Sequence, residues 1–135
     1  EPADDRLGAD NADLAFDQVL RAPIAGMTHA ERAFLASVAF ARHSSAPNPP
    51  DTTTVGRVLT VERRQRARAL GAAIRLGCDL AGRNPKLLPR ASLTNEDGRL
   101  RLSAEPGWRD MLLGEQTPKR ANTLAQALKL KLQLG

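Results

Sequence analysis

Residues 91–103, ASLTNEDGRLRLS, decide the fold class. Upstream of them apolar residues recur every three or four positions. Within Ala91-Ser92-Leu93-Thr94 and Leu100-Arg101-Leu102-Ser103 they alternate every second position, the period of a half-buried strand. Between these runs lies Asn95-Glu96-Asp97-Gly98, whose Asp-Gly pair favours a tight hairpin turn. Beyond it, Pro106 breaks the chain before Gly107-Trp108. Residues 116–127 return to helical spacing, with Ala121, Leu124 and Leu128 on one face. The tail Leu128-Lys129-Leu130-Lys131-Leu132-Gln133-Leu134 alternates strictly. A helix would scatter those leucines over all faces, so a third strand pairing with the hairpin is expected.

Before residue 90 the chain reads as helices. Thr28-His29-Ala30-Glu31 is a capping box. It opens a helix over about 28–44, apolar nearly all round and expected to be central, with Phe34, Leu35, Val38, Ala39 and Arg42 recurring at helical spacing. A first helix is expected over 10–22, started by Asp10 or Asn11 and stopped by Pro23. Pro47, Pro49 and Pro50 make 44–54 a breaker-rich loop. A third helix is expected from about Val61 to Arg83. Its apolar stripe reads Ala67, Leu70, Ile74, Gly77, Cys78 and Ala81. Gly71 and Gly77 offer small surfaces for close helix approach. The expected fold is α+β: a helical segment over 1–90, then a small antiparallel β-sheet with one helix over 91–135.

Composition bounds function. The 135 residues are 41% hydrophobic and 26% charged, in the range of one globular domain. No apolar run reaches the length of a membrane span. The single cysteine, Cys78, excludes an internal disulfide framework and a multi-cysteine zinc site, and fits a reducing, cytoplasmic setting. Neither histidine, His29 or His43, has metal-ligand spacing to another donor, so no metal or cofactor is expected in this chain. A Cys78–His43 catalytic pair competes with the plainer reading of Cys78 as a buried small residue on its stripe. No phosphate-binding loop or nucleophile elbow is present, so no catalytic residue is assigned.

The net charge is +5. Residues 57–90 carry nine bases against Glu62 and Asp79, a net of +7, whereas residues 1–22 carry −4. A segment this basic points to a polyanion, or to a solvated helix face. The start at Glu1-Pro2 without Met suggests a fragment or processed chain.

Three stretches, GMTHAERAFLASVAFARHS (26–44), RARALGAAIRLGCDLAG (66–82) and LLGEQTPKRANTLAQALKLKLQL (112–134), together with the hairpin, resemble the C-terminal region of the exopolyphosphatase and guanosine pentaphosphate phosphohydrolase family. The likeness covers about residues 10–134, and the turn at Leu80-Ala81-Gly82 is similar to the alphaproteobacterial form. It implies an HD-phosphohydrolase-like helical domain. It also implies N-terminal actin-like domains, absent here, that hydrolyse the phosphoanhydride with Mg²⁺. The family's His-Asp dipeptide would precede Glu1. Where relatives often read Arg-Leu-Ala-Asp, this chain has Arg75-Leu76-Gly77-Cys78. Asp79 follows one residue later, about 100° round the helix from a ligand position. Metal-dependent HD chemistry is therefore not expected.

The resemblance makes polyphosphate the expected partner, with a homodimer as a further one. Arg64, Arg68 and Arg75, at spacings of four and seven, line one helix face. Arg57, Arg63 and Arg83 extend it, and Arg42 and His43 are expected to join the same groove. Arginine suits phosphate because its planar fork binds bidentately. The alternatives are a basic nucleic-acid-binding module, against which the lack of aromatic interleaving argues, and a purely structural dimerisation domain.

Overall fold

The computed structural model describes residues 2–46, 48–50, 52–83, 86–112 and 116–134, without the side chains of 2–10, 52, 83, 111 and 112. Pro47 and the Arg83 side chain, both invoked above, lie outside that set. The fold is α+β, with six helices and one three-stranded sheet among the described residues. The chain forms two compact units, Glu1–Gly71 and Ala72–Gly135.

The first unit contains α1 (Pro2–Arg21), α2 (His29–His43), α3 (Thr52–Val58) and the start of α4 (Val61–Arg83). Helix α1 begins eight residues before the expected Asp10. Proline near a helix start and acids in the early turns both suit that position. The Pro23 stop holds, and Gly26 turns the chain with φ of +80°. Thr28 then caps α2 as expected. Its hydroxyl accepts the Glu31 N–H at 3.1 Å, and the Glu31 carboxylate accepts the Thr28 N–H at 3.1 Å. These bonds hold the Glu31 carboxyl below the usual carboxylate range.

Arg32, half-buried, closes the other side of the α1–α2 turn. Its guanidinium donates to the carbonyls of Val19 (3.3 Å), Leu20 (3.5 Å), Ala22 and Ile24 (3.3 Å). It adds to the backbone donors there, the Ala22 N–H on the Val19 carbonyl at 3.3 Å and the Ile24 N–H on the Ala22 carbonyl at 2.9 Å, where carbonyls at a helix end run short of partners.

The core of this unit gathers Ala12 and Phe16 from α1, Ala33, Ala36 and Phe40 from α2, Val55 from α3, and Leu59. The buried face of α2 is therefore Ala33-Ala36-Ser37-Phe40-Ala41, with Val38 beside it, and Leu35 lies outside at 42% exposure. Small residues are chosen because they let helices approach closely. Helix α3 falls partly within the expected loop. Three threonines and Gly56 are weak helix formers, but Val55 and Leu59 are both buried, and that packing overrides propensity.

Helix α4 has the expected bounds. Thr60 caps it, its hydroxyl accepting the Arg63 N–H at 3.1 Å. Its buried positions are Ala67, Gly71, Ala72, Leu76 and Leu80, while Leu70 and Ile74 are exposed. Gly71 sits directly on α2: a Cβ there would lie 2.4 Å from the Ala41 Cβ and 2.6 Å from the Val38 carbonyl oxygen. At Gly77 a Cβ would meet nothing within 4 Å. The close approach is thus made by one of the two glycines.

In the second unit, the remainder of α4 is followed by a 3-10 turn (Leu88–Arg90), β1 (Ala91–Glu96), β2 (Arg99–Ala104), α5 (Arg109–Leu112), α6 (Gln116–Ala127) and β3 (Lys131–Leu134). Strands β1 and β2 pair antiparallel from Ala91↔Ala104 to Glu96↔Arg99. Asp97 and Gly98, with φ of 52° and 74°, form the two-residue turn between them. Leu100, Leu102 and Ala104 point inward, and Arg99 and Arg101 outward.

The tail strand joins β2 as expected, but in parallel, pairing Arg99↔Lys131 through Leu102↔Leu134. The sheet is therefore mixed rather than wholly antiparallel. The cause is the connection: α5 and α6 carry the chain back to the end at which β2 began, as a parallel pairing demands.

Helix α6 buries Thr117, Ala121, Leu124, Ala125 and Ala127, and leaves Leu128 exposed. It ends in a Schellman turn. The Leu130 N–H bonds the Ala125 carbonyl at 2.8 Å, the Lys129 N–H bonds that of Gln126 at 3.0 Å, and Lys129 takes φ of +58°. Lys129 thus belongs to the helix cap and not to the strand.

Candidate anion-binding site

Arg64 and Arg68 stand one turn apart on α4, both half-buried. They line a pocket of about 250 Å³ within the first unit. Phe40 and Ala41 of α2, Pro49 of the connecting loop, Val55 of α3 and Val61 of α4 supply its apolar wall. Ser37, Asn48 and Gln65 complete the polar side. The Ser37 hydroxyl is committed, donating to the Ala33 carbonyl at 2.8 Å. Arg64 reaches toward α3, its Nη1 lying 3.8 Å from where a Gly56 Cβ would sit.

Two features set the electrostatics. No acidic side chain is among the described residues lining the pocket. The Nε atoms of Arg64 and Arg68 are both buried without a hydrogen-bond partner in the structure. A buried donor left unpaired costs free energy, on the order of 1–3 kcal/mol and more when charged. An anion in the pocket would offset the two like charges that these side chains bring to it.

The remaining arginines are placed differently. Arg42 is exposed and His43 half-buried at the end of α2, and neither lines the pocket. The positive charge of Arg42 suits the helix C-terminus. Arg63 stacks over the Phe34 ring at 4.5 Å, and Arg57 is exposed.

Arg75 belongs to the second unit. Its Nη1 is also buried and unpaired. Burial pushes the guanidinium below its ordinary pKa, the like charge of Arg120 adds to this, and Asp79 partly opposes it. Asp79 itself accepts a 2.7 Å hydrogen bond from the fully buried Thr117 hydroxyl, joining α4 to α6.

Cys78 is exposed, not buried on a stripe. At about 100° per residue it lies some 200° from both Leu76 and Leu80, which face inward. Among the described residues no cluster of His, Cys, Asp and Glu could hold a metal ion, and no helix is long and apolar enough to cross a membrane.

The arginine pair was accessible from its spacing of four. The pocket around it was not, because its walls come from three further elements up to 31 residues away. No sequence period announces such a juxtaposition. No known protein family and no curated protein matches this chain.

Proposed function

We propose that this chain is the C-terminal accessory part of a cytoplasmic exopolyphosphatase. In this reading it holds polyphosphate, while hydrolysis with Mg²⁺ takes place in actin-like domains outside this sequence. The carrying observation is that three arginines of α4, Arg64, Arg68 and Arg75, each keep a buried guanidinium nitrogen without a partner. They sit in a segment with net charge +7. Phosphate oxygens are the acceptors that such nitrogens lack. Arg64 and Arg68 hold substrate in the first unit, and Arg75 contributes in the second. Arg42 adds positive charge and His43 a ring donor at the end of α2. A homodimer would double the number of contacts along one chain of phosphates.

The test is binding to immobilised polyphosphate and to random duplex DNA across a salt series. Polyphosphate binding should weaken steeply with salt, as each neutralised phosphate releases counterions. The combined variant Arg64→Ala, Arg68→Ala, Arg75→Ala should lower affinity roughly ten- to hundredfold and flatten the salt dependence. Lys131→Gln, on the exposed edge of β3, should not. The purified chain should release no phosphate. Tighter binding to DNA than to polyphosphate, or a triple variant that binds like wild type, refutes the assignment.

A further inference from the structure

The pocket at Arg64 and Arg68 has a second character that an inorganic polyanion leaves unused. Two of its lining residues are cationic, but a larger number, Phe40, Ala41, Pro49, Val55 and Val61 among them, are apolar. A string of phosphates has nothing to set against that wall. A neutral apolar molecule would fill it but leave the charges of Arg64 and Arg68 without a counter-charge among the described lining residues. A metal ion finds no carboxylate among the described lining residues. The volume, about 250 Å³, falls just below the roughly 300–1,000 Å³ typical of sites for drug-sized ligands, so the occupant is small.

We infer that this pocket binds a small organic anion whose phosphate or carboxylate head meets Arg64 and Arg68 and whose apolar body lies against Phe40, Pro49 and Val55. Arg64 and Arg68 leave α4 one helical turn apart, a separation of residues across which two long side chains can address a single head group. Such a head also separates two like charges that otherwise repel across one turn. The apolar wall then discriminates by the body, as apolar pockets with a few polar groups do. Binding of this kind does not depend on the polyphosphate reading, although an occupied pocket withdraws Arg64 and Arg68 from any polyanion.

The experiment is an NMR titration of the full chain, at low salt, with four probes: phenyl phosphate, benzoate, inorganic phosphate and benzyl alcohol. Phenyl phosphate or benzoate should shift the amides of residues around the pocket and bind roughly tenfold or more tightly than inorganic phosphate, the margin expected from burying part of a ring. Benzyl alcohol should not bind. Binding of either anionic head supports the inference, and the tighter of the two identifies the head group.

Arg64→Gln with Arg68→Gln should weaken binding at least tenfold. Val61→Glu is the second variant. Val61 is exposed at the pocket rim and lies in the first turn of α4, where an acid suits the helix dipole, so the fold tolerates it while the new charge repels the ligand. Phenyl phosphate and benzoate both binding no more tightly than inorganic phosphate overturns the inference, as does binding that survives both variants or shifts amides elsewhere. Polyphosphate binding measured on the same samples separates the two proposals. If it persists without any preference for the aromatic anions, only this inference fails. If the aromatic anions bind and polyphosphate does not, only the accessory-domain reading fails.

Discussion

Replacing Gly71 by alanine adds one methyl group to α4, and the structure specifies what it meets. The new Cβ would lie 2.4 Å from the Ala41 Cβ, 2.6 Å from the Val38 carbonyl oxygen and 2.9 Å from the Ala41 carbonyl carbon. All three are closer than van der Waals contact, and two belong to the α2 backbone, which cannot swing aside as a flexible side chain can. Two effects oppose each other. Alanine gains about 1 kcal/mol of helix propensity over glycine. Overpacking costs typically about 1–3 kcal/mol, and backbone clashes of this depth belong at the upper end. The net expectation is a loss of about 2 kcal/mol.

Gly77→Ala makes the same change six residues along the same helix, where a Cβ meets nothing within 4 Å. It should therefore stabilise by about 0.5–1 kcal/mol. Urea unfolding followed by far-UV circular dichroism reads both. With a slope of about 1–3 kcal/mol per molar for a protein of this size, Gly71→Ala should lower the midpoint by roughly 1 M and Gly77→Ala should raise it. Adding Ala41→Gly to Gly71→Ala should recover only part of the loss, because the Val38 carbonyl still obstructs. A Gly71→Ala protein as stable as wild type would refute the close crossing of α2 and α4.

Two further substitutions test the turns. Arg32→Met keeps the aliphatic stem but removes the guanidinium donors to the carbonyls of Val19, Leu20, Ala22 and Ile24. It should cost about 1–3 kcal/mol, given that the side chain is only half-buried, and speed amide exchange at the end of α1; unchanged exchange there would contradict the clamp. Lys129→Gly should stabilise by about 0.5–1 kcal/mol in the same denaturation assay, because φ of +58° strains any side chain with a Cβ, and a destabilised glycine variant would count against the left-handed cap.

The elements that could be read from sequence are those whose signals are local. The Thr28–Glu31 box, the Asp97-Gly98 turn and the bounds of α4 and α6 depend on residues within four positions of one another. What could not be read depends on distant packing. Helix α3 lacks propensity and exists because Val55 and Leu59 reach the core. The buried faces of α2 and α4 share only some positions with the stripes that spacing indicates, such as Val38 and Ala67. Leu35, Leu70 and Ile74 lie outside, and alanines and glycine occupy the contact. Alternation in the tail identifies a strand but is silent on its direction, which the helical crossover decides. The site divides in the same way. Four-residue spacing pairs Arg64 with Arg68, but only the folded chain places Phe40, Pro49 and Val55 around them.

The turn after α6 has a consequence for strand alignment. The tail repeats leucine at 128, 130, 132 and 134, so sliding it by two residues along β2 would present an identical face to the core. Side-chain alternation punishes odd slips and ignores even ones. The ambiguity is resolved outside the sheet. The Leu130 N–H is tied to Ala125 on the helix, and the Lys131 N–H reaches the Gly98 carbonyl at 3.3 Å. Lys129, bent into its left-handed conformation, thus acts as the zero mark of a ruler: counted from it, Leu132 meets Leu100 and Leu134 meets Leu102. One uncomfortable residue makes a repetitive tail single-valued.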